Sequence, residues 1–219
     1  MSFSKAELFS LALSASGSDF GVSDPEEQSR EAALCRLWFD QISDQIIAAA
    51  PWPSVRAYAR LALIDERDTA ALWQPGAPAP HWRFVYGTPS DLLHPYYLAT
   101  FERFEYLSAR ISTNAEQPIL YYNRREEDLA KWDQGLKEAV IHALASRIAR
   151  PLTGSAEVVQ EQFQLAQIRI LDAQVAAANT QDMAHEDLPD WLQARGTSIR
   201  APDKYFHPFQ MINAEKVAP

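Results

Sequence analysis

The sequence predicts an α+β fold, mainly α: a helical bundle with two long C-terminal helices, an inserted small antiparallel β unit and an extended C-terminal tail. Three observations point to it. Apolar residues recur at spacings of three and four before residue 50 and again after residue 128, which is the helical period. Between those stretches the period falls to two, the repeat of a half-buried strand. Past residue 183, prolines and isolated aromatics replace any period. A chain of 219 residues that is 47% hydrophobic can build the core of one domain, or of one domain with an insertion. The boundaries follow the period: residues 1–52 and 128–182 form the helical body, 53–127 the inserted β domain and 183–219 the arm.

Lys5 to Ser14 places Leu8, Leu11 and Ala12 on one face of a short helix that stops at the Gly/Ser punctuation "SASGSD". The next helix has its start signals at Asp24 as N-cap, Pro25 at the first helical position and Glu27 at the capping-box position. Leu34, Leu37, Trp38, Ile42, Ile46 and Ala49 form its stripe, with Cys35 beside it as a small buried hydrophobe. At "AAAPWPSVRAYARLAL" Pro51 removes the next backbone donor, and Pro53 pushes Trp52 out of the helical region. Pro51, Trp52 and Pro53 are therefore expected to form a structural hinge between body and β unit, with the indole packed under the junction.

"VRAYARLAL", "HWRFVYG" and "PILYYN" read as strands, separated by turn chemistry in "QPGAPAPH", "GTPSD" and "STNAEQP". Helical period returns at Asp128, with Leu129, Trp132, Leu136, Ala139, Val140, Ala143, Leu144 and Ile148 on one side and an end at Arg150 before Pro151. "PLTGSAE" reads as a tight turn in which Ser155 caps the last helix. Along that helix Val159, Phe163, Ala166, Ile170, Ala173 and Ala177 make a narrow seam, suited either to an antiparallel hairpin with the preceding helix or to contact between subunits. The arm has too few aliphatics for a core of its own, so Trp191, Tyr205, Phe206 and Phe209 are expected to dock on another subunit.

Charge and motif content exclude several function classes. Twenty Lys and Arg against twenty-nine Asp and Glu give a net charge of −9, and residues 1–52 hold three basic and eight acidic groups, more than half of the excess. Such a surface repels phosphate and argues against a nucleic-acid clamp held by counterion release, though not against DNA sliding past. The five histidines lack metal-ligand spacing, a single cysteine excludes an internal disulfide, and no Gly-rich phosphate loop is present. No cofactor and no catalytic residue is expected. Glu126, Glu127 and Asp128 beside Arg124 and Arg125 read as a solvated charge run. Neither a membrane span nor a leader peptide is predicted, which suggests synthesis and use in a cytoplasm.

The order helix, Pro-Trp, β insertion, long helix, Leu-Thr-Gly turn, long helix resembles the tail tubular protein A family, the head-to-tail adaptors of short-tailed phages. "CRLWFDQISDQIIAAAPWP" is similar to that family's second helix; "WRFVYGTPSDLL" to its aromatic strand followed by Tyr-x-x-Pro-x-Asp, here Tyr86, Pro89 and Asp91. "PILYYNRREEDLAKWD" and "ALASRIARPLTGS" are similar to its last strand and its turn at Leu152, Thr153 and Gly154. The resemblance spans roughly residues 3–180; "SASGSDFGVSDP" departs from the family's usual Ile-Gly and Pro-Val loop, and the arm matches no motif. It implies a structural protein of the virion, without enzyme activity: a homo-oligomeric ring of twelve subunits between portal protein and tail nozzle, assembled in the host cytoplasm, through which DNA passes without sequence-specific binding. Two other readings stay open from the residues alone. One is a soluble enzyme with an α-helical body and a β flap that uses Cys35 or the acids near Glu126; the other is an injected host-binding protein.

Overall fold

The computed structural model describes residues 3–67, 79 and 81–180, with side chains up to residue 178. The chain divides into two units, Met1–Ala178 and Asn179–Pro219, and the first is described below. The predicted arm, with Trp191, Tyr205, Phe206 and Phe209, lies outside the described residues. The first unit is mixed α+β: its described residues form four helices and two antiparallel sheets, and the described strands fall between the second and third helices.

Helix α1 (Lys5–Ala15) starts at Ser4, whose Oγ accepts the Glu7 N–H at 3.2 Å. It buries Leu8, Phe9, Ala12 and Leu13, whereas Leu11 is exposed. The predicted Leu11 face is therefore corrected, because at 100° per residue Leu11 lies away from the arc that Leu8, Ala12, Phe9 and Leu13 share.

Helix α2 (Arg30–Ala49) begins five residues later than its sequence signals imply. Asp24 and Glu27 close a separate turn: Asp24 Oδ1 accepts the Glu26 N–H, and the Glu27 carboxylate accepts from the Ser23 N–H, the Ser23 hydroxyl and the Ser29 hydroxyl. Arg36 then donates to the carbonyls of Pro25 and Glu27, turning them toward its guanidinium instead of along a helix axis. The working cap is Ser29, whose Oγ accepts the Ala32 N–H at 3.2 Å. Ser29→Ala is expected to cost about 0.5–2 kcal/mol in chemical denaturation and more than Asp24→Ala; the reverse ranking would place the helix start at Asp24 after all. The stripe is rotated as well. Ala32, Cys35, Phe39, Ile42, Ser43, Ile46 and Ile47 are buried, Leu34 and Trp38 are half-buried, and Leu37 and Ala49 are exposed, so Cys35 sits at the centre of the face.

Among the described residues the strands are β1 (Arg56–Arg60), β2 (Ala62–Glu66), β3 (Phe84–Gly87), β4 (Leu92–Leu98), β5 (Phe104–Leu107), β6 (Arg110–Thr113) and β7 (Ile119–Arg124). One sheet has the order β1-β7-β4 and the other β2-β3-β6-β5. "VRAYARLAL" thus supplies strands to two sheets, with buried Leu61 at the crossing between them. Strands β4, β5 and β6 go beyond the three predicted runs. Leu61, Leu98, Leu120 and Tyr122 meet Phe84, Tyr86 and Ile111 in one core shared by both sheets.

Helix α3 (Gln134–Thr153) also departs from its signals at both ends. Leu129–Lys131 is a separate 3-10 turn capped by Asp128, and Trp132 leaves it in an extended conformation. Asp133 is the true cap, accepting the Leu136 N–H at 2.9 Å. At the other end the helix passes through Pro151 instead of stopping at Arg150. In the last turn the missing proline donor orphans a single carbonyl, which is a small loss beside a cap that closes properly. Gly154 provides that cap at φ +73°, its N–H reaching the Arg150 carbonyl at 3.0 Å.

Helix α4 (Ala156–Thr180) follows, with Ser155 Oγ accepting the Val158 N–H as its sequence implies. The Glu138–Arg169 ion pair at 2.8 Å and the His142 Nδ1–Gln162 contact at 2.7 Å set it antiparallel to α3. The helical core joins α1, α2 and α3 through Phe9, Phe39, Trp132, Leu136, Leu144 and Ile148, and Ile170 of α4 reaches into it.

Candidate assembly site and the Pro-Trp-Pro seam

A helix that ends without a left-handed glycine must find other donors for its last carbonyls. At α2 the terminal Ala50 is extended, at φ −148° and ψ 155°, and Pro51 offers no N–H. Side chains from three different segments fill the gap. The Trp52 indole N–H donates to the Ile46 carbonyl at 2.8 Å, the Asn123 amide to the Ile47 and Ala50 carbonyls at 2.6 and 2.7 Å, and Gln174 Nε2 to the Ala49 carbonyl at 2.9 Å. One donor comes from the hinge itself, one from the central strand of the first sheet and one from α4.

Trp52 is 1% exposed, among the largest fully buried side chains. Gly135 sits directly against it: a Cβ there would lie 3.4 Å from Trp52 Cζ3 and 3.4 Å from Asp133 Oδ1, so the lone glycine of α3 marks a close approach of helix to indole. Asp133 serves two partners, since its second carboxylate oxygen accepts the Ser54 hydroxyl at 2.7 Å. Arg56 donates to the Pro51 carbonyl at 3.1 Å, and Arg125 forms a two-pronged ion pair with Asp44 of α2. The seam is a bolted joint and not a loose hinge. The angle at which the β unit leaves the body is held by hydrogen bonds on both sides of Trp52.

Tyr86 and Asp91, singled out in the sequence, also act as pins. Tyr86 Oη donates to the Ala115 carbonyl at 2.9 Å, Tyr122 Oη donates to Asp91 Oδ1 at 3.1 Å, and the Asp91 carbonyl accepts the Arg125 N–H. The acidic run at Glu126 is not all solvated: Glu126 is buried, paired with Arg124 and Lys131 and accepting the Asp128 N–H, while Glu127 and Asp128 are exposed. It fastens the strand-to-helix connection, and Trp132 completes the knot by donating its indole N–H to the Glu126 carbonyl.

Chemistry at Cys35 is suppressed. Burial pushes its thiol up from 9.0 to about 12, and burial likewise raises the Tyr96 and Tyr122 phenols to about 12. All three are neutral when protonated, and the unfolded chain deprotonates first. Their contribution to stability is therefore complete below pH about 9 and lost as pH rises toward about 12. Native Cys35 is expected to resist alkylation at pH 8 until denaturant is added; rapid labelling of the folded protein would contradict its burial. Among the described residues no cluster of three His, Cys, Asp or Glu is placed to hold a metal, and no helix is long and apolar enough to cross a membrane.

The predicted α4 seam divides in two. Ala166, Ile170 and Ala177 are buried within the chain and Ala173 is half-buried, so Ile170 is withdrawn from the free surface where a subunit contact was predicted. Val159 is half-buried and Phe163 is 55% exposed. The outward face is a different one: Phe163, Ile168, Leu171 and Val175 are all exposed, interleaved with Gln160, Gln164 and Gln167 and with no charged side chain between them. The sequence reading missed Ile168, Leu171 and Val175 because it followed the heptad seam, which is the side that packs on α3. Comparison with family models and with curated proteins returns no match.

Proposed function

We propose that the chain is a structural head-to-tail adaptor of a short-tailed phage. It would form a closed ring between portal and nozzle, acting by assembly and not by catalysis. The observation that carries the reading is the outward face of α4, an uncharged stripe of exposed Phe163, Ile168, Leu171 and Val175 on a chain of net charge −9. A soluble monomer gains nothing from such a face, whereas an assembly protein needs an uncharged place where a partner such as the portal can dock on its acidic surface without repulsion. The motif order from the Pro-Trp seam to the Leu-Thr-Gly turn supports the same reading.

In this arrangement the helical bundle forms the body of the ring near the portal. The β unit projects toward the nozzle at an angle fixed by the bolted seam, and residues 183–219 add contacts to a neighbour. A net negative surface lets the genome slide through the lumen. The enzyme reading draws nothing from Cys35, whose thiol is buried and raised, and Glu126 is committed to ion pairs with Arg124 and Lys131. Co-sedimentation with purified portal protein tests the proposal. A complex that is lost in Leu171→Asp, while that variant stays folded, is expected; no complex between the wild-type chain and any portal or tail component would overturn it.

A further inference from the structure

A closed ring of identical subunits requires two different, complementary patches on each copy, and the structure offers such a pair. The first is the loop between α1 and α2. Phe20 stands 68% exposed at its tip, yet the loop is pinned on both sides. Gly17 turns the chain at φ +82°, and the Ser18 hydroxyl accepts the Phe20 N–H. Buried Val22 is clamped by Ser10, whose hydroxyl donates to the Val22 carbonyl at 2.9 Å and accepts its N–H at 3.0 Å. Beyond it, Arg36 holds the carbonyls of Pro25 and Glu27. Asp19, Asp24 and Glu26 are exposed around the phenylalanine, and residues 17–29 contain no Lys or Arg. A large apolar ring is thus presented in fixed form inside an acidic frame, with its ordering cost already met.

The second patch is the outer face of the sheet β1-β7-β4. Its inner face is taken up by the β core, and the end nearest α2 is covered through Asn123. The remainder carries a row of rings: Tyr58 meets Tyr121 at 4.9 Å, Tyr121 stacks on Tyr97 at 4.5 Å, and Tyr97 stacks on Phe101 at 5.6 Å. Tyr58 is 67% and Phe101 53% exposed, and Phe101 is held in a left-handed backbone conformation, φ 55°, unusual for an aromatic residue. The strand positions on this face bring Arg56 and Arg60 and no carboxylate.

We infer that Phe20 and its acidic loop on one copy dock on the Tyr58-Tyr121-Tyr97-Phe101 shelf of the next copy, forming the repeating contact of the ring. The inference rests on the ring reading proposed above and names the two halves of its subunit interface. Charge selects the occupant: the shelf is basic on an acidic chain, and the loop that carries the exposed, pre-ordered aromatic knob is acidic and free of Lys and Arg. An aromatic anchor seated on aromatic rings within a charged rim has the composition of an interface hot spot.

The test uses the full chain with a benzophenone photo-crosslinker at position 20, isotope-labelled and unlabelled copies being mixed so that contacts between copies can be told from contacts within one. Crosslinks between copies into 56–60, 92–101 or 119–121 are expected. Phe20→Asp and, separately, Tyr58→Asp should each weaken assembly at least about tenfold. A reversed loop (Asp19→Arg with Glu26→Arg) and a reversed shelf (Arg60→Glu) should each assemble poorly alone and recover when mixed, since the loop of each then meets an opposite charge. A wild-type ring whose crosslinks map elsewhere, or which tolerates these substitutions, overturns the contact and leaves the ring standing. A wild-type chain that forms no ring with or without portal overturns both.

Discussion

Trp52→Ala is expected to lower the unfolding free energy by about 3–5 kcal/mol, the range for truncating a fully buried large aromatic. Two losses add. The void opens where the indole is 1% exposed and in contact with Gly135, and the Ile46 carbonyl loses the N–H it accepts at 2.8 Å. Without the indole, the Ile46 carbonyl must fall back on the Ala50 N–H at the extended helix end or admit water. Trp52→Phe separates the two effects, retaining most of the apolar volume while deleting the indole N–H. Urea denaturation of the three proteins measures both. A loss for Trp52→Ala well short of that range would mean that the ring does not lock the joint.

Asn123→Ala is expected to cost about 1–3 kcal/mol, the cost of stranding a buried carbonyl, although the residue lies 76 positions from Ile47. Its amide is the donor to the Ile47 carbonyl at 2.6 Å, and the Ala50 carbonyl also accepts it at 2.7 Å while keeping the Trp52 N–H at 2.9 Å. Tyr96→Phe, which removes only the hydroxyl that the same amide meets at 3.0 Å, should cost less. Amide hydrogen exchange across α2 and β7 reads the structural consequence: both ends of the joint should lose protection together in Asn123→Ala. Loss confined to β7 would show that the strand does not brace the helix.

The seam was partly legible in sequence. Two prolines around a tryptophan announce the stop and the change of period through local sterics, but the bonds that make the joint rigid come from Asn123 and Gln174, whose meeting with α2 depends on tertiary folding. The false start at Asp24 has a similar origin. The capping pattern is present and is used, but by a turn, because Arg36 captures the two carbonyls that a helix would need. Strands β5 and β6 escaped notice because their two-residue turn is Ser108-Ala109, both at positive φ, where an Asn-Gly pair would have signalled a hairpin. Strand β4 was hidden by Pro95 and by the register shifts on either side of it. On α4 the heptad seam left packing within the chain and contact between subunits open, and Ala166, Ile170 and Ala177 pack inward; Ile168, Leu171 and Val175 recur at three and four as well, so only the placement of α4 on the body separates the outward face from the inner one.

Assembly is the central claim, and electron microscopy of the purified full-length protein, alone and with portal, tests it most directly. Closed rings of one diameter, seated coaxially on the portal with the β units on the face away from it, are the predicted result. Dispersed monomers in both samples, with portal rings left bare, would contradict the account.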